Sequence, residues 1–433
     1  MRGIVRENAA CALAAAAAST VVGWLCLYGF GWNDYEVEVR PAYEALVHGH
    51  ITRFLQLAPA YGGSLIERAP FALLPGLWGG GPLAVYRAVT LPCLLAAAAL
   101  GVWLVSRMRA QGRPMIVRLL ALGVCVLNPI TFRALELGHP EELLGACLCV
   151  AAVLLAARSS ADCDHSLLAG LLLGLAVANK EWALLATGPV LLALPPGRRI
   201  RCLLIAGVCA AAVLAPLALF SANGFVAGTR AVATPSAGAI FKPWQLWWFF
   251  GHYSPLARGP LDVAQAGYRL GPAWTGEISH PLILATAPAL ALALWPRSRR
   301  AALPERQALL ALALVLLLRC LLDTWDEIYY LLPFVFAMLA WEIVGERPRA
   351  PMLALACSVL GWLSFQWLEH HASADIQASV FLAWSLPLAL WLALKLFSAP
   401  AREQVQVSAG EPAGAGSTYE TTVSALGRLV STS

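Results

Sequence analysis

The sequence predicts an all-α polytopic membrane protein, a bundle of about twelve transmembrane helices. Of its 433 residues, 59% are hydrophobic and only 13% are charged, whereas a soluble domain carries about a quarter charged residues. Leu- and Ala-rich runs of about 18–22 residues recur along the chain, and this length crosses a bilayer core about 30 Å thick. A soluble fold has no place for that many apolar faces.

The predicted spans follow these runs, and two of them are too short to cross the membrane upright. Residues 166–179 and 182–195 are therefore predicted to be broken or re-entrant helices packed against protein. The twelve predicted spans are 8–30, 83–105, 115–132, 141–157, 166–179, 182–195, 202–220, 280–296, 305–322, 328–345, 350–368 and 376–397.

The basic residues predict which side of the membrane each loop faces. With Arg2 and Arg6 on the inner side, the clusters Arg107–Arg109, Arg198–Arg201 and Arg297–Arg300 fall on that side too, which is the positive-inside pattern. Both termini are therefore predicted to be cytoplasmic. The N-terminal run lacks a convincing cleavage site and is predicted to be an uncleaved first span. Carboxylates collect in the outer loops, which suggests polar chemistry facing outward.

The chain is predicted to form one membrane domain, residues 1–397, followed by a tail. Residues 398–433 are small and polar and are predicted to be a disordered cytoplasmic segment. In a long outer loop, the Trp-rich run 241–250 is interpreted as a helix lying in the membrane interface.

Composition also argues against several classes of function. The formal charge of +5 is not gathered on a soluble face, so no nucleic-acid partner is expected. The 11 Cys are scattered without CxxC or His/Cys ligand spacing, so no zinc site is expected. No Walker or Rossmann glycine pattern is present, which argues against nucleotide-driven chemistry. The preference for Arg over Lys, with much Ala, Gly and Leu, indicates a high-GC bacterium and hence a bacterial plasma membrane.

Asp34, directly after the first predicted span, is the first candidate site residue. A carboxylate at membrane depth beside aromatic neighbours could take a proton from an acceptor hydroxyl as a general base, or hold a divalent cation. The alternative is a polar helix end lying among lipid headgroups, and the spacing of the residues does not decide between the two.

A short outer turn between the third and fourth predicted spans is the second candidate. Pro140 suits the first turn of the following helix, where Glu141 and Glu142 meet its positive end. This purely structural interpretation gives no role to His139 or Arg133 in the same turn. The turn is therefore a candidate site.

Lys180, at the outer junction of the two short spans, is the third candidate. A cation in apolar surroundings near bilayer depth is costly and usually functional, and a lipid phosphate is one natural partner. The alternatives are a surface pair with Glu181 or a lysine that snorkels to the interface.

The fourth candidate segment begins an outward-opening span. Trp325, Asp326, Tyr329 and Tyr330 could bind a sugar by stacking and hydrogen bonding. An interfacial aromatic belt is the alternative, and it accounts for the aromatic residues but not for the acidic ones.

In their order and sidedness, these segments resemble the C-type glycosyltransferases (the GT-C fold). They look most similar to family 87, whose bacterial members use polyprenyl-phosphate sugars. The likeness extends over residues 1 to about 397 and is carried by residues 138–142 (GHPEE), 178–182 (ANKEW) and 325–333 (WDEIYYLLP).

The resemblance implies a GT-C-like bundle with an outward-facing cavity and a role for each candidate residue. Asp34 would be the catalytic base, and such enzymes typically invert the anomeric carbon. Lys180 would contact the donor phosphate, with Arg133 and His139 nearby. The residues assigned to the sugar or acceptor groove are Glu36, Glu141, Trp325, Asp326, Tyr329 and Tyr330. Asp34 has no Asp-x-Asp partner, so a divalent cation is possible but not required.

The expected function is transfer of a mannose-like or arabinose-like sugar from a polyprenyl-phosphate donor to an envelope glycolipid or glycan. A transporter or flippase of lipid-linked sugars is the alternative, because many spans with polar groups also suit alternating access. The two differ in where polar residues gather. An enzyme should bring Asp34, Lys180 and Tyr329 together in one outward cavity.

Overall fold

The computed structural model describes residues 11–13, 15–17, 19, 34–59, 61–160, 163–221, 224, 226, 242–253, 269–344 and 350–398. Helices dominate this part of the chain. The α-helices are α1 Arg40–Val47, α2 Ile51–Leu57, α3 Gly63–Ala72, α4 Pro82–Ala110, α5 Met115–Val126, α6 Pro129–Leu137, α7 Pro140–Ala156, α8 Ser166–Asn179, α9 Thr187–Ala193, α10 Arg199–Phe220, α11 Ala273–Ser298, α12 Glu305–Leu322, α13 Leu331–Val344, α14 Met352–Trp362, α15 Leu368–His371 and α16 Ala374–Ser398.

Tighter or wider helical turns join several of these helices. The π-helical turns are Tyr35–Val39 and Leu363–Trp367, and the 3₁₀ turns are Leu74–Trp78, Glu181–Ala186, Pro196–Arg198, Trp248–Phe250 and Ile328–Tyr330. Within the described ranges the only strands are β1 His252–Tyr253 and β2 Arg269–Leu270, an antiparallel pair of two residues each. The all-α prediction therefore holds except for this short ladder.

Six helices of the described chain are long and apolar enough to cross a membrane, and the protein is a membrane protein. Some of them join consecutive helical elements, such as α5 with α6. They are Pro82–Ala110, Met115–Leu137, Pro196–Phe220, Trp274–Ser298, Met352–His371 and Ala374–Ser398. The prediction of about twelve spans is not confirmed by this criterion. α7 has only 17 residues, and Glu305, Arg306 and Arg319 place three charges in α12. Most of the first predicted span, 8–30, lies outside the described residues.

Several predicted boundaries agree closely with the helices. α8 and α12 have the predicted bounds, 166–179 and 305–322. The predicted span 182–195 is a 3₁₀ turn followed by the seven residues of α9, so this region is broken as expected. α16 ends at Ser398, and the rest of the predicted tail, 399–433, lies outside the described residues.

The core and the lipid-facing surface are carried by different helices. Nearly all of α12 from Ala308 to Leu322 is buried, as is α13 from Leu331 to Ile343. On α10, by contrast, Leu204 and Val208 are 64% and 70% exposed. Apolar side chains exposed along a hydrophobic helix are suited to contact lipid. The polar side chains at the start of α7 and just after α12 lie in the core. They are Glu141, Glu142 and Asp323, and all three are buried.

The predicted interfacial helix at 241–250 is wrong for the residues that are described, 242–250. Trp244 and Trp248 are buried, and only a three-residue 3₁₀ turn forms. The Trp244 Nε1–H donates to the Ser364 carbonyl at 2.9 Å, and the Trp247 Nε1–H donates to the Leu322 carbonyl at 2.7 Å. These tryptophans anchor the segment to the protein instead of to headgroups.

Candidate active site

The turn between α6 and α7 brings Asp34 to His139. Gly138 ends α6 at a φ of 97°, a left-handed conformation that glycine adopts without strain. A Cβ at Gly138 would lie 2.4 Å from the Tyr35 backbone nitrogen, so any side chain there would displace the turn that follows Asp34. The absence of a side chain lets the Asp34–Tyr35 backbone pack directly against this turn.

His139 lies between two carboxylates. Its Nε2 is 3.0 Å from Asp34 Oδ2, and its Nδ1 is 2.7 Å from Glu141 Oε1. Burial and Lys180 lower the pKa of His139, but Glu141 and the hydrogen bond to Asp34 outweigh them and raise it to about 9. At neutral pH the ring is therefore an imidazolium that donates both N–H groups. Asp34 is 40% exposed while His139 is 6% exposed, so Asp34 is the accessible end of this pair.

Glu141 and Glu142 begin α7 with no solvent exposure. Lys180 Nζ joins them, 3.2 Å from Glu141 Oε1 and 3.0 Å from Glu142 Oε1. Arg68 Nη2 lies 3.4 Å from Glu141 Oε2, and Arg319 Nη2 lies 3.2 Å from Glu142 Oε1. Each buried carboxylate therefore meets at least two cations, as burial of a charge requires.

A surface pair with Glu181 was one alternative considered for Lys180, but its ion-pair partners are Glu141 and Glu142. Lys180 is 7% exposed in the break between α8 and the following 3₁₀ turn. Burial lowers its pKa, but Glu142, Glu141 and Glu181 raise it to about 12. The Asn179 side-chain amide donates to the Glu141 carbonyl at 2.8 Å, which ties this break to the start of α7.

Aromatic rings line the charged groups. Lys180 Nζ is 4.8 Å from the Tyr61 ring centroid and 5.7 Å from that of Tyr329. The Tyr329 and His139 ring centroids are 4.4 Å apart. Such contacts stabilise a cation where water is excluded. The structure thus brings together Asp34, His139, Lys180 and Tyr329, as an active site predicted from these residues requires.

Arg319 occupies a similar setting on the other side of Glu142. Its guanidinium carbon lies 4.0 Å from the Tyr330 ring centroid and 4.9 Å from that of Trp182. Tyr330 is therefore placed at the edge of the ion-paired groups through Arg319.

We refer to the ion-paired groups as the charge cluster. It contains four cationic side chains and three carboxylates. Asp323 beside Arg319 and Glu181 beside Lys180 add further negative charge around it. The members of the charge cluster are Asp34, Arg68, His139, Glu141, Glu142, Lys180 and Arg319.

Asp326 adjoins Arg319 but makes a different environment. It has no solvent exposure, and neither carboxylate oxygen has a hydrogen-bond partner among the described residues. Burial, the nearby Asp323 and Glu327 raise its pKa well above the usual value. Arg319 and the Glu327 backbone amide oppose this more weakly. Asp323 differs because it accepts a hydrogen bond from the Trp325 backbone at 2.9 Å and lies 3.5 Å from His280 Nε2.

Three predicted site residues have their described contacts outside the charge cluster. Arg133 pairs with Glu136 at 3.1 Å, and Glu36 pairs with Arg40 at 2.5 Å. Trp325 lies beneath Lys242, whose Nζ is 5.4 Å from its ring centroid. These three side chains therefore lie outside the charge cluster. In the sequence, Glu36 is two residues from Asp34, which belongs to the cluster, and Trp325 precedes Asp326, which adjoins Arg319.

Arg68, Glu142 and Arg319 are members of the cluster that the sequence analysis did not select as site residues. The sequence does contain a signal for Arg319, because an arginine within an apolar run at membrane depth is costly and usually functional. In the sequence, Arg68 falls between the first two predicted spans, in a segment predicted to be a long outer loop, and nothing there marked it as a site residue. Glu142 was explained by the helix N-terminus alone, which hid its second role between Lys180 and Arg319.

The arrangement is suited to chemistry at the exposed carboxylate of Asp34. Asp34 Oδ2 lies 3.0 Å from His139 Nε2, and the Asp34 side chain is 40% exposed, so an acceptor hydroxyl can reach this carboxylate. In the described part of the chain, no three His, Cys, Asp or Glu side chains come together in a way that could hold a metal ion.

Comparison with known proteins identifies a family for this chain. The model of glycosyltransferase family 87 matches residues 63–322, well over half of the chain. No curated protein matches. The matched range includes His139, Glu141, Lys180 and Arg319. Asp34 and residues 325–330 lie outside it.

Proposed function

The chain belongs to glycosyltransferase family 87, and from that premise we propose that it transfers a sugar from a polyprenyl phosphate to an envelope acceptor. The acceptor would be a glycolipid or glycan at the outer face of a bacterial plasma membrane, and the sugar mannose-like or arabinose-like. The observation that supports this most is the charge cluster, in which one accessible carboxylate, Asp34, lies close to the buried cations His139 and Lys180.

Asp34 is assigned the role of catalytic base. Its Oδ2 accepts from His139 Nε2 at 3.0 Å, which fixes the carboxylate so that Oδ1 can take the acceptor proton. His139 is itself fixed by Glu141 at 2.7 Å. As the hydroxyl oxygen attacks the anomeric carbon, its proton passes to Asp34 and the bond to the phosphate oxygen breaks. Attack opposite the leaving phosphate inverts the anomeric carbon.

Two cations of the charge cluster are assigned to the donor phosphate. A polyprenyl-phospho-sugar carries one negative charge, and its phosphate gains a second as the sugar leaves. Lys180, with Arg319 behind it, therefore stabilises the transition state more than the bound donor, and this difference accelerates the reaction. Tyr61 and Tyr329, which border Lys180, are assigned to the walls of the donor sugar site.

A transporter or flippase was the alternative expected from the sequence. Asp34, His139, Lys180 and Asp326 all stand at helix ends or in breaks between helices. Breaks of this kind also occur in transporters, whose sites lie between two related halves. The match to glycosyltransferase family 87 over residues 63–322 favours the enzyme.

The test uses purified protein in lipid, with synthetic polyprenyl-phosphate mannose and arabinose as donors and lipid extracts as acceptors. Wild type should transfer one of the sugars. Asp34→Asn should reduce the rate about 10²–10⁴-fold, the contribution of a general base. Asp164→Asn is the matched control, because Asp164 pairs with Arg201 at 2.8 Å and is not a member of the charge cluster, and it should transfer like wild type.

Two results would contradict the proposal. Absence of transfer by wild type with both donors would remove the donor class. Equal rates for wild type and Asp34→Asn would remove Asp34 as the base.

A further inference from the structure

A second feature near Asp34 is a half-open cavity of about 200 Å³. It lies between α1 with its preceding π-turn and the start of α4. Its polar wall is made by Arg40, Glu44 and His48, and Val85 contributes to its apolar wall. Lys180 and His139 do not line it, so the cavity is separate from the charge cluster.

The cavity begins one residue from the proposed base. Tyr35 lines it and directly follows Asp34, and successive Cα atoms are about 3.8 Å apart. The Tyr35 ring is held against Tyr86, with ring centroids 4.1 Å apart. The cavity therefore adjoins the proposed base along the chain, and an acceptor that occupies both must extend from Asp34 past Tyr35 into it.

The charged groups of this wall indicate a neutral, hydroxyl-rich ligand. Arg40 pairs with Glu36 at 2.5 Å and with Glu44 at 2.6 Å, so one arginine faces two carboxylates. That balance disfavours a phosphate. Exposed pairs at this spacing contribute little to stability, but carboxylate and guanidinium groups side by side offer acceptors and donors to sugar hydroxyls.

The size of the cavity limits the ligand further. Pockets for drug-sized molecules have volumes of roughly 300–1,000 Å³, so about 200 Å³ suits a single sugar ring. The apolar wall can pack against the carbon face of such a ring, while the polar wall binds its hydroxyls.

We propose that this cavity is an acceptor subsite, which holds the neutral sugar unit next to the one whose hydroxyl attacks the donor. This inference rests on the proposed function and deepens it. The acceptor is then a glycan or glycolipid with at least two sugar units at its reacting end. A lipid with a single sugar leaves the cavity empty and binds more weakly.

Gly81 offers a way to fill the cavity without disturbing the base. It lines the cavity, has a φ of −78° that any residue adopts, and a Cβ there would meet no atom within 4 Å. Gly76 has the same open surroundings but does not line the cavity. Gly81→Leu is therefore the blocking variant and Gly76→Leu its matched control.

The experiment measures equilibrium binding in lipid nanodiscs, without turnover. The probes are octyl α-mannoside and octyl α-mannobioside, with the corresponding arabinosides. Wild type and Gly76→Leu should bind one of the disaccharides about tenfold more tightly than its monosaccharide, the gain expected from one or two added hydrogen bonds. Gly81→Leu should lose this preference and keep the monosaccharide affinity.

Binding and transfer separate the two proposals. Equal affinity of wild type for both sugar lengths, no binding of any glycoside, or a preference that persists in Gly81→Leu would overturn the subsite. A disaccharide preference that Gly81→Leu abolishes supports the subsite even if no polyprenyl-phosphate sugar is transferred. In that case only the proposed donor chemistry fails.

Discussion

Two groups of buried carboxylates meet around Arg319 and are held in opposite ways. Glu142, at the start of α7, faces Lys180 at 3.0 Å and Arg319 at 3.2 Å. Asp326, after α12, is equally buried, yet its oxygens have no hydrogen-bond partner among the described residues. Glu142 is held between two cations, whereas Asp326 lies beside two further carboxylates.

Since the two side chains are equally buried, the difference between them lies in the charges that surround each one. Cations flank Glu142 on two sides, whereas Asp323 and Glu327 add negative charge beside Asp326. A carboxylate-to-amide substitution should therefore have opposite effects at the two positions.

Glu142→Gln should give the largest effect. It removes the negative charge between Lys180 and Arg319 and leaves both cations less compensated, which costs about 3–5 kcal/mol when a buried pair is broken. The measurement is thermal unfolding in detergent, where the midpoint should fall by several degrees. An unchanged midpoint would show that Glu142 does not balance these cations.

The pH dependence of transfer should report His139. Its pKa is raised from 6.5 to about 9, so the stability it contributes is complete below pH 6.5 and is lost as pH rises through about 9. Transfer should fall about tenfold per pH unit above 9, as the imidazolium that orients Asp34 loses its proton.

His139→Gln provides the control for this pH profile. Glutamine keeps a hydrogen-bond donor but does not titrate, so transfer should be slower and the decrease above pH 9 should disappear. A decrease that persists in the variant would belong to another group.

Asp326→Asn should have the smallest effect and the opposite sign to Glu142→Gln. In the folded protein the pKa of Asp326 is raised well above its ordinary 3.8, so the acid costs stability increasingly as pH rises above about 4. Asparagine avoids this cost. Stability should rise by about 0.5–2 kcal/mol, the range of single stabilising substitutions.

The pH at which unfolding is measured makes this prediction specific. The gain from Asp326→Asn should be present at pH 7 and disappear below about pH 3, where the aspartic acid is largely neutral in both states. A loss of stability at pH 7 would show that Asp326 is charged and paired in the folded protein.

Much of the helical framework was predictable because apolar runs and proline positions are local features. α8 and α12 have their predicted bounds. The third predicted span, 115–132, differs from the structure because Asn128 and Pro129 divide it into α5 and α6. The Asn128 side chain caps α6 by accepting from the Ile130 amide at 3.0 Å. The Trp-rich run was misinterpreted because composition alone does not separate tryptophans at an interface from tryptophans buried against Ser364 and Leu322.

The candidate site was predictable in part for a related reason. His139 and Lys180 are unusual residues in apolar surroundings, and that is visible in the sequence. Their ion partners depend on how distant segments meet. Arg68 pairs with Glu141 across 73 positions of the sequence, and Arg319 pairs with Glu142 across 177 positions. Arg133 was expected near the donor phosphate but pairs with Glu136 on its own helix.

The central claim is a division of labour, in which Asp34 takes the proton and the buried cations hold the donor. Its most direct test is one single-turnover experiment on Asp34→Asn with the active polyprenyl-phosphate sugar, measuring donor affinity and transfer rate together. The account predicts a donor Kd close to that of wild type and a transfer rate about 10²–10⁴-fold lower. A wild-type transfer rate in Asp34→Asn, or a rate lost only because the donor no longer binds, would contradict it.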